Sequence, residues 1–365
     1  MFSKRKFLLY YNIYFAGLFL ILLGSVFVLS SSFSYSLEKN NITFYFIKHI
    51  NYLFLGLLLV GLIQKIDIKK LEKFSNLIFI FSLFILILPV LQHGLRWVKI
   101  GPFSFQPSEF VKLTFILYLA SYIKKISVKV NNLKNLILPS IGWILITGIL
   151  QLQKDLGTFV IITVVFMGIL FISGLKMKYI LSFSVIFICL MIGLIFLFPY
   201  RIERIKKHGK EYQSKQSVIS FSSGGFFGKG FGAGTRKLRY VPEIHKDFVY
   251  AVVGEELGFV GAFGVLILFA ILVFCGLEVS KECDNLFEKI LSSGISILFG
   301  IQFILHTCVV LSVFPTKGTT LPFFSVGGSS LIVNLVALGL LIKISKNIIN
   351  KLGIKDIEEI TIDLK

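Results

Sequence analysis

Apolar residues in this chain come in long runs, separated by short polar segments rich in lysine. About 20 apolar residues are needed to cross a bilayer as a helix. On that criterion the pattern predicts ten spans, at roughly 9–30, 44–63, 74–91, 107–123, 136–152, 157–173, 179–199, 248–275, 289–313 and 324–345, the fourth to sixth being short. All should be helical, because lipid offers an open chain no other partner for its backbone polar groups. The first run follows Lys4-Arg5-Lys6, is too long for a signal-peptide core and lacks an A-x-A cleavage site, so it reads as a span.

Composition narrows the class. Of the 365 residues 55% are hydrophobic and only 16% charged, against about 25% charged in soluble domains. An ordinary soluble enzyme, a disordered chain and a disulfide scaffold are excluded. The expected fold class is an all-α polytopic membrane protein of about ten transmembrane helices, a single membrane domain over 1–365. Cys189, Cys275, Cys283 and Cys308 have no metal-ligand spacing and read as small apolar residues.

The formal net charge is +19. In a soluble protein that excess would suggest nucleic acid; here the positive-inside rule accounts for most of it, and no nucleic-acid partner is expected. Lysine and arginine gather at the N-terminus, in the second-to-third, fourth-to-fifth and sixth-to-seventh loops, and in a tail at about 346–365, which places both termini in the cytoplasm. The Glu278–Glu288 loop is net acidic and departs from the trend. The largest loop, about 200–247 between the seventh and eighth spans, falls outside. It carries eleven basic residues (Arg201, Arg204, Lys206, Lys207, Lys210, Lys215, Lys229, Arg236, Lys237, Arg239 and Lys246) against four acids, net +7. Topology gives no reason for that charge. It suits either outer-leaflet lipid or a phosphate-bearing ligand.

Within this loop the glycine-rich stretch 223–234 is neither a P-loop nor a GxGxxG turn. It reads as a flexible segment able to dip into the interface, with a weak possibility of an anion nest beside Lys229. Asp247 stands where the loop enters the eighth span. It is either a helix-capping acid or a half-desolvated carboxylate placed to accept a proton. His245 is a base or an ordinary loop histidine. Lys246, adjacent in sequence, should favour ionised Asp247 and weaken it as a base. Glu255 and Glu256 lie inside the eighth span, where carboxylates face a polar cavity or a partner. Glu109 and Lys112 share a helix face at i, i+3 and suit either an ion pair or a charged cavity lining. Gln302 and His306, at i, i+4 in the ninth span, suggest an interhelical hydrogen bond. No metal-ligand cluster, nucleophilic triad or nucleotide motif is seen.

Five stretches occur in order along the chain: Arg96-Trp97 with 101–113 (GPFSFQPSEFVKL), Asp155-Leu156-Gly157-Thr158, 222–230 (SSGGFFGKG), 242–248 (PEIHKDF) with 254–258 (GEELG), and Leu321-Pro322-Phe323 with 327–330 (GGSS). Together they resemble the SEDS proteins (shape, elongation, division and sporulation), whose members include RodA and FtsW. The 237–243 segment is more similar to the division branch than to the elongation branch. Lys154, Lys246, Val326 and His306 depart from the family's usual residues.

The resemblance implies a peptidoglycan glycosyltransferase in the cytoplasmic (inner) membrane that polymerises lipid II at the outer face. It implies Asp247 as the catalytic residue and Glu109 and Lys112 as lining of the central cavity. With Arg96, Lys99, Asp155, Lys229 and His245 they form the candidate substrate-binding set. The implied partners are lipid II, a class B penicillin-binding protein transpeptidase and other divisome or elongasome membrane proteins. A divalent cation, Mg or Mn, is compatible, though no dedicated ligand set is seen. The competing readings are a lipid II flippase, which would depend on deeper charges such as Glu109 or Glu255, and a non-catalytic scaffold for a transpeptidase.

Overall fold

The computed structural model describes residues 2–92, 96–100, 103–127, 130–197, 202, 212–238, 240–315 and 319–351. Among them are ten long helices at the ten predicted positions: α1 (Phe2–Leu37), α2 (Phe44–Lys65), α3 (Ile68–Leu91), α4 (Pro107–Ile126), α5 (Leu133–Leu152), α6 (Leu156–Ile172), α7 (Met177–Leu197), α10 (Val249–Glu282), α11 (Leu286–Val310) and α12 (Gly328–Asn350). Two shorter helices, α8 (Tyr212–Ser223) and α9 (Ile244–Asp247), lie between α7 and α10. Seven of the long helices are long and apolar enough to cross a membrane by length and composition; α6 is a shorter apolar helix of 17 residues. Helix α4 has the length but carries Glu109 and Lys112 within its first two turns.

Local signals set the helix starts. Asp67, Asn132, Asp155 and Asn285 accept hydrogen bonds from the first-turn amides of α3, α5, α6 and α11, and Pro107 opens α4 at a position where its missing N–H costs nothing. Helices α11 and α12 form the centre, whereas α2 is peripheral: 78% of the apolar window of α12 is buried, against 11% for α2. Helix α10 packs between α1 and α11, and α4 is sandwiched by α3, α11 and α12.

Two features depart from the sequence expectation. A short antiparallel hairpin, β1 (Val98–Ile100) and β2 (Phe103–Phe105), precedes α4, pairing Val98 with Phe105. The glycine-rich stretch, whose Phe226, Phe227 and Phe231 stay exposed, is built into α10 through its backbone. In a continuous helix the carbonyls of Glu255 and Glu256 would accept from Phe259 and Val260. Instead they accept from Lys229 N and Gly230 N, both at 3.0 Å, while Phe259 N and Val260 N donate to Gly225 O and Phe226 O. The helix breaks at Gly258, where φ is +67° and ψ −165°. A Cβ there would stand 2.2 Å from Gly228 N, so the crossing needs glycine for both torsion and space.

The basic residues Arg201, Arg204, Lys206, Lys207, Lys210 and Arg239, and the tail from 352 onward, lie outside the described residues.

Candidate active site

Asp247 ends the four-residue helix α9, which Glu243 enters with a left-handed backbone (φ 54°). Three contacts fix this helix. Val326 N donates to His245 O at 2.9 Å. Glu243 N donates to the Tyr35 hydroxyl at 2.9 Å. The His245 ring lies between Tyr35 and Tyr45, with centroids 4.6 and 4.9 Å away and the rings tilted by 50° and 45°. Helix α10 is capped by Phe248 without a side-chain bond, so Asp247 does not serve as its cap.

Burial pushes the Asp247 carboxyl up to about 6, helped by the Glu243 carboxylate and opposed by Lys246 and Arg96. Lys246 does favour the ionised form, as expected; what is corrected is the expectation that it would leave Asp247 a weakened base. Burial outweighs that cation, and Lys246 Nζ is engaged at 2.6 Å by Glu243 Oε2. His245 is 1% exposed, with both ring nitrogens lacking hydrogen-bond partners among the described residues. Burial, with Lys246 beside it, lowers its pKa to about 4, so the ring is neutral at physiological pH.

Arg96 acts on Asp247 while itself held in place. Its Nη2 donates to Lys154 O at 2.7 Å and its Nε to Gln153 O at 3.3 Å, at the turn between α5 and α6. Asp155 follows that turn and is taken up locally, accepting from Thr158 Oγ1 at 2.9 Å and Thr158 N at 3.3 Å.

A cavity of about 460 Å³ opens beside this group, lined by Tyr45, Lys48, His49, Trp97, Lys246 and Gly327 among others. A smaller one of about 210 Å³ shares Tyr52 and Ser104 with it and reaches Phe110. Phe110 in turn borders an apolar groove of about 580 Å³ between α2, α3, α4 and α12, lined by residues such as Leu77, Phe81 and Leu117. The three spaces thus share lining residues in a row from the Lys246 side to the apolar groove.

A family model described as "Cell cycle protein" and covering FtsW, RodA and SpoVE matches residues 11–349. The chain belongs to the FtsW/RodA/SpoVE family. Among FtsW-named relatives, a "Probable peptidoglycan glycosyltransferase FtsW" of Taylorella equigenitalis is 41% identical over 270 residues, covering 69% of this chain and 72% of the relative. The protein of the same name from Coxiella burnetii is 36% identical over 346 residues, covering 89% and 93%. Two solved structures are similar in fold at 27% identity. A chain of a structure on "structural coordination of polymerization and crosslinking by a peptidoglycan synthase complex" has a TM-score of 0.78, covering 93% of this chain and 98% of that one. Thermus thermophilus RodA has a TM-score of 0.70, covering 92% and 96%.

In this FtsW/RodA/SpoVE member the candidate residues fall into three groups. Asp247, His245 and Arg96 come together at one end of the bundle; Lys99 lies in β1 nearby, its side chain outside the described ones. Glu109 and Lys112 form a buried pair within α4, 2.8 Å apart, reached through the Gln106 N to Ser329 Oγ bond that ties α4 to α12. Lys229 is drawn elsewhere: its Nζ lies 2.7 Å from Glu255 Oε1. The hydrogen bond expected across helices is made to a loop instead: His306 Nδ1 meets Thr319 O at 2.7 Å. Lys48 and His49 were not singled out from sequence, whereas Gly327 stands in the 327–330 stretch that was. The available signal was Lys48 itself, a lone cation within the predicted second span.

Proposed function

We propose that this chain is a peptidoglycan glycosyltransferase of cell division that polymerises lipid II at the outer face of the cytoplasmic membrane. The observation that carries the reaction is Asp247, a half-desolvated carboxylate with raised proton affinity, set beside a fixed arginine and a cavity lined by Lys48, His49 and Lys246, with an apolar groove farther along the bundle. The groove suits the polyprenyl tail, and the cavity suits the sugar diphosphate.

The growing glycan is the donor. The 4-hydroxyl of an incoming lipid II attacks the anomeric carbon of the terminal MurNAc. The new C–O bond forms as the bond to the lipid diphosphate breaks, and the hydroxyl proton passes to Asp247. With a pKa near 6 the carboxylate is mostly ionised at pH 7, yet more basic than an exposed aspartate, which suits general-base work. Arg96, held by two carbonyls, supplies positive charge where the diphosphate departs; preplaced cations of this kind stabilise developing charge without reorganising. Lys99 is the second candidate there. No group of three or more His, Cys, Asp or Glu able to hold an ion occurs among the described residues, so no step is routed through Mg or Mn.

A class B penicillin-binding protein transpeptidase is the proposed partner. The reading is supported by fold similarity to a chain of a complex that coordinates polymerization and crosslinking. The buried Glu109–Lys112 pair is the feature a lipid II flippase would use, and the test separates the two. Purified Asp247→Asn, folded and partner-bound, should fail to polymerise lipid II, whereas Glu109→Gln should retain measurable polymerisation. Full polymerisation by Asp247→Asn would refute the assignment.

A further inference from the structure

His306 is fully buried in α11, one turn before the helix ends at Val310. A polar ring inside a membrane helix is costly unless it holds a partner. This ring has one hydrogen bond among the described residues. Its Nδ1 stands 2.7 Å from Thr319 O, and because a carbonyl only accepts, Nδ1 is the donor. Its Nε2 has no partner among the described residues. The bond brings Thr319 back beside the last turn of α11.

Thr319 begins a segment on which both halves of the active site rest. The segment is closely held. Ser325 Oγ accepts from Leu321 N at 2.8 Å, Thr320 Oγ1 meets Ser330 Oγ at 2.8 Å, and Phe323 takes a left-handed backbone (φ 68°). Phe323 and Phe324 are buried, and a Cβ at Gly24 of α1 would stand 2.4 Å from Phe323 O. A segment packed in this way passes a shift on rather than absorbing it. At its far end Val326 N donates to His245 O at 2.9 Å, in the short helix α9 that presents Asp247. At its near end Thr319 packs on the first turn of α6, where a Cβ at Gly157 would stand 2.8 Å from Thr319 Cγ2. Asp155 caps α6 directly after Gln153 and Lys154, whose carbonyls hold Arg96.

We infer that His306 is a positioning residue for glycosyl transfer: its one hydrogen bond, to Thr319, sets the place of Asp247 relative to Arg96, although it touches neither. The reaction it serves rests on the glycosyltransferase reading above. The base and the cation come from distant parts of the chain, and Thr319 is where the elements that carry them meet. The hydroxyl proton moves to Asp247 as charge grows on the diphosphate beside Arg96. The spacing of the two groups therefore matters more in the transition state than in substrate binding.

Steady-state polymerisation of lipid II by the purified, partner-bound full chain tests the inference. His306→Met fills the space with a flexible apolar side chain and removes the donor. His306→Asn keeps a donor, because its Nδ2 lies as many bonds from the backbone as Nδ1 of histidine. His306→Met should lower kcat by roughly tenfold to a hundredfold, the scale of a small misplacement, with KM within about twofold. His306→Asn should keep kcat within about threefold of wild type, even though the cavity it leaves lowers its melting temperature. Hydrogen exchange gives a readout that needs no activity: the Val326 amide should exchange at least about tenfold faster in His306→Met than in wild type or His306→Asn. If His306→Met does not fold, His306→Gln takes its place. Its donor reaches one bond farther and displaces Thr319, so the same fall in kcat is expected. Wild-type kcat in His306→Met, or in His306→Gln where that replaces it, would overturn the inference. So would a His306→Asn enzyme as slow as His306→Met, which would assign the effect to lost packing, or a raised KM with kcat unchanged. Polymerisation by Asp247→Asn would instead remove the glycosyltransferase reading, and exchange at Val326 would still decide whether His306 holds the segment.

Discussion

Replacing Lys237 by methionine should destabilise the protein, and adding Glu256→Gln to that variant should restore most of the loss. The two side chains form an ion pair at 2.7 Å, with Glu256 fully buried and Lys237 4% exposed. Lys237 Nζ also donates to Ser30 Oγ and Gly232 O, both at 2.8 Å. The carboxylate accepts from Ser30 Oγ at 2.6 Å and from Gly232 N at 3.0 Å. Removing one partner of a buried pair leaves the other charge without compensation, which typically costs about 3–5 kcal/mol. Here the surviving bonds to Ser30 and Gly232 keep each single change toward the lower end. The double variant buries no charge; the glutamine amide oxygen can still accept from Gly232 N, and its NH2 can donate to Ser30 Oγ, which Lys237 no longer occupies, so its net cost should be within about 1–2 kcal/mol. The expected coupling is therefore roughly 4–5 kcal/mol, well above the few tenths seen for independent sites. Thermal unfolding followed by tryptophan fluorescence reads the global effect, and limited proteolysis within 224–238 reads the release of the loop that the pair holds down. A double variant as unstable as the sum of the singles would refute the interpretation, as would single variants that melt with wild type.

The pH dependence of polymerisation should show an acid limb near pH 6, set by Asp247. Glu243→Gln removes a charge that raises that pKa and frees Lys246 from its 2.6 Å bond, so the limb should move to lower pH; Arg96→Ala should move it higher. Because Asp247 is raised from 3.8 to about 6, its ionisation destabilises the folded state, an effect absent below about pH 4 and complete above about pH 6. Asp247→Asn should therefore raise the melting temperature at pH 8 but not at pH 4, and equal shifts at both would contradict the burial argument. Gly258→Ala forces a Cβ into a conformation essentially reserved for glycine and against Gly228 N. It should cost at least about 2 kcal/mol and expose the 224–238 segment to protease, whereas an unchanged digestion pattern would count against the helix break.

The helices were legible because each is a continuous apolar run, and lipid admits one solution for such a run. The starts of α2 and α4 match the predicted residues 44 and 107, and α10 begins one residue after the predicted 248. The hairpin at 98–105 was not legible: three-residue strands are too short to show a period of two. The break in α10 was also hidden, since Gly258 sits in a run that is apolar on both sides, and the carbonyls it frees are satisfied by a segment some 25 residues earlier.

Charge was read correctly as to place and for the Glu109–Lys112 pair, but the partners of Lys246 and Lys229 were not read. Lys246 follows His245 and precedes Asp247, but its ammonium reaches back one helical turn to Glu243. Lys229 looked available in the loop and is bound to Glu255. Sequence adjacency gives the distance between backbones, while the sign of a pKa shift depends on where side-chain charges end and how much water has been removed. The same distinction ranks the cations of this family member. Lys112, Lys229 and Lys237 each end on a carboxylate and so hold the structure. Arg96 ends on carbonyls, and the charge it shares with ionised Asp247 is released when Asp247 takes up the hydroxyl proton. A cation whose charge the fold has not neutralised is the kind that a diphosphate can recruit.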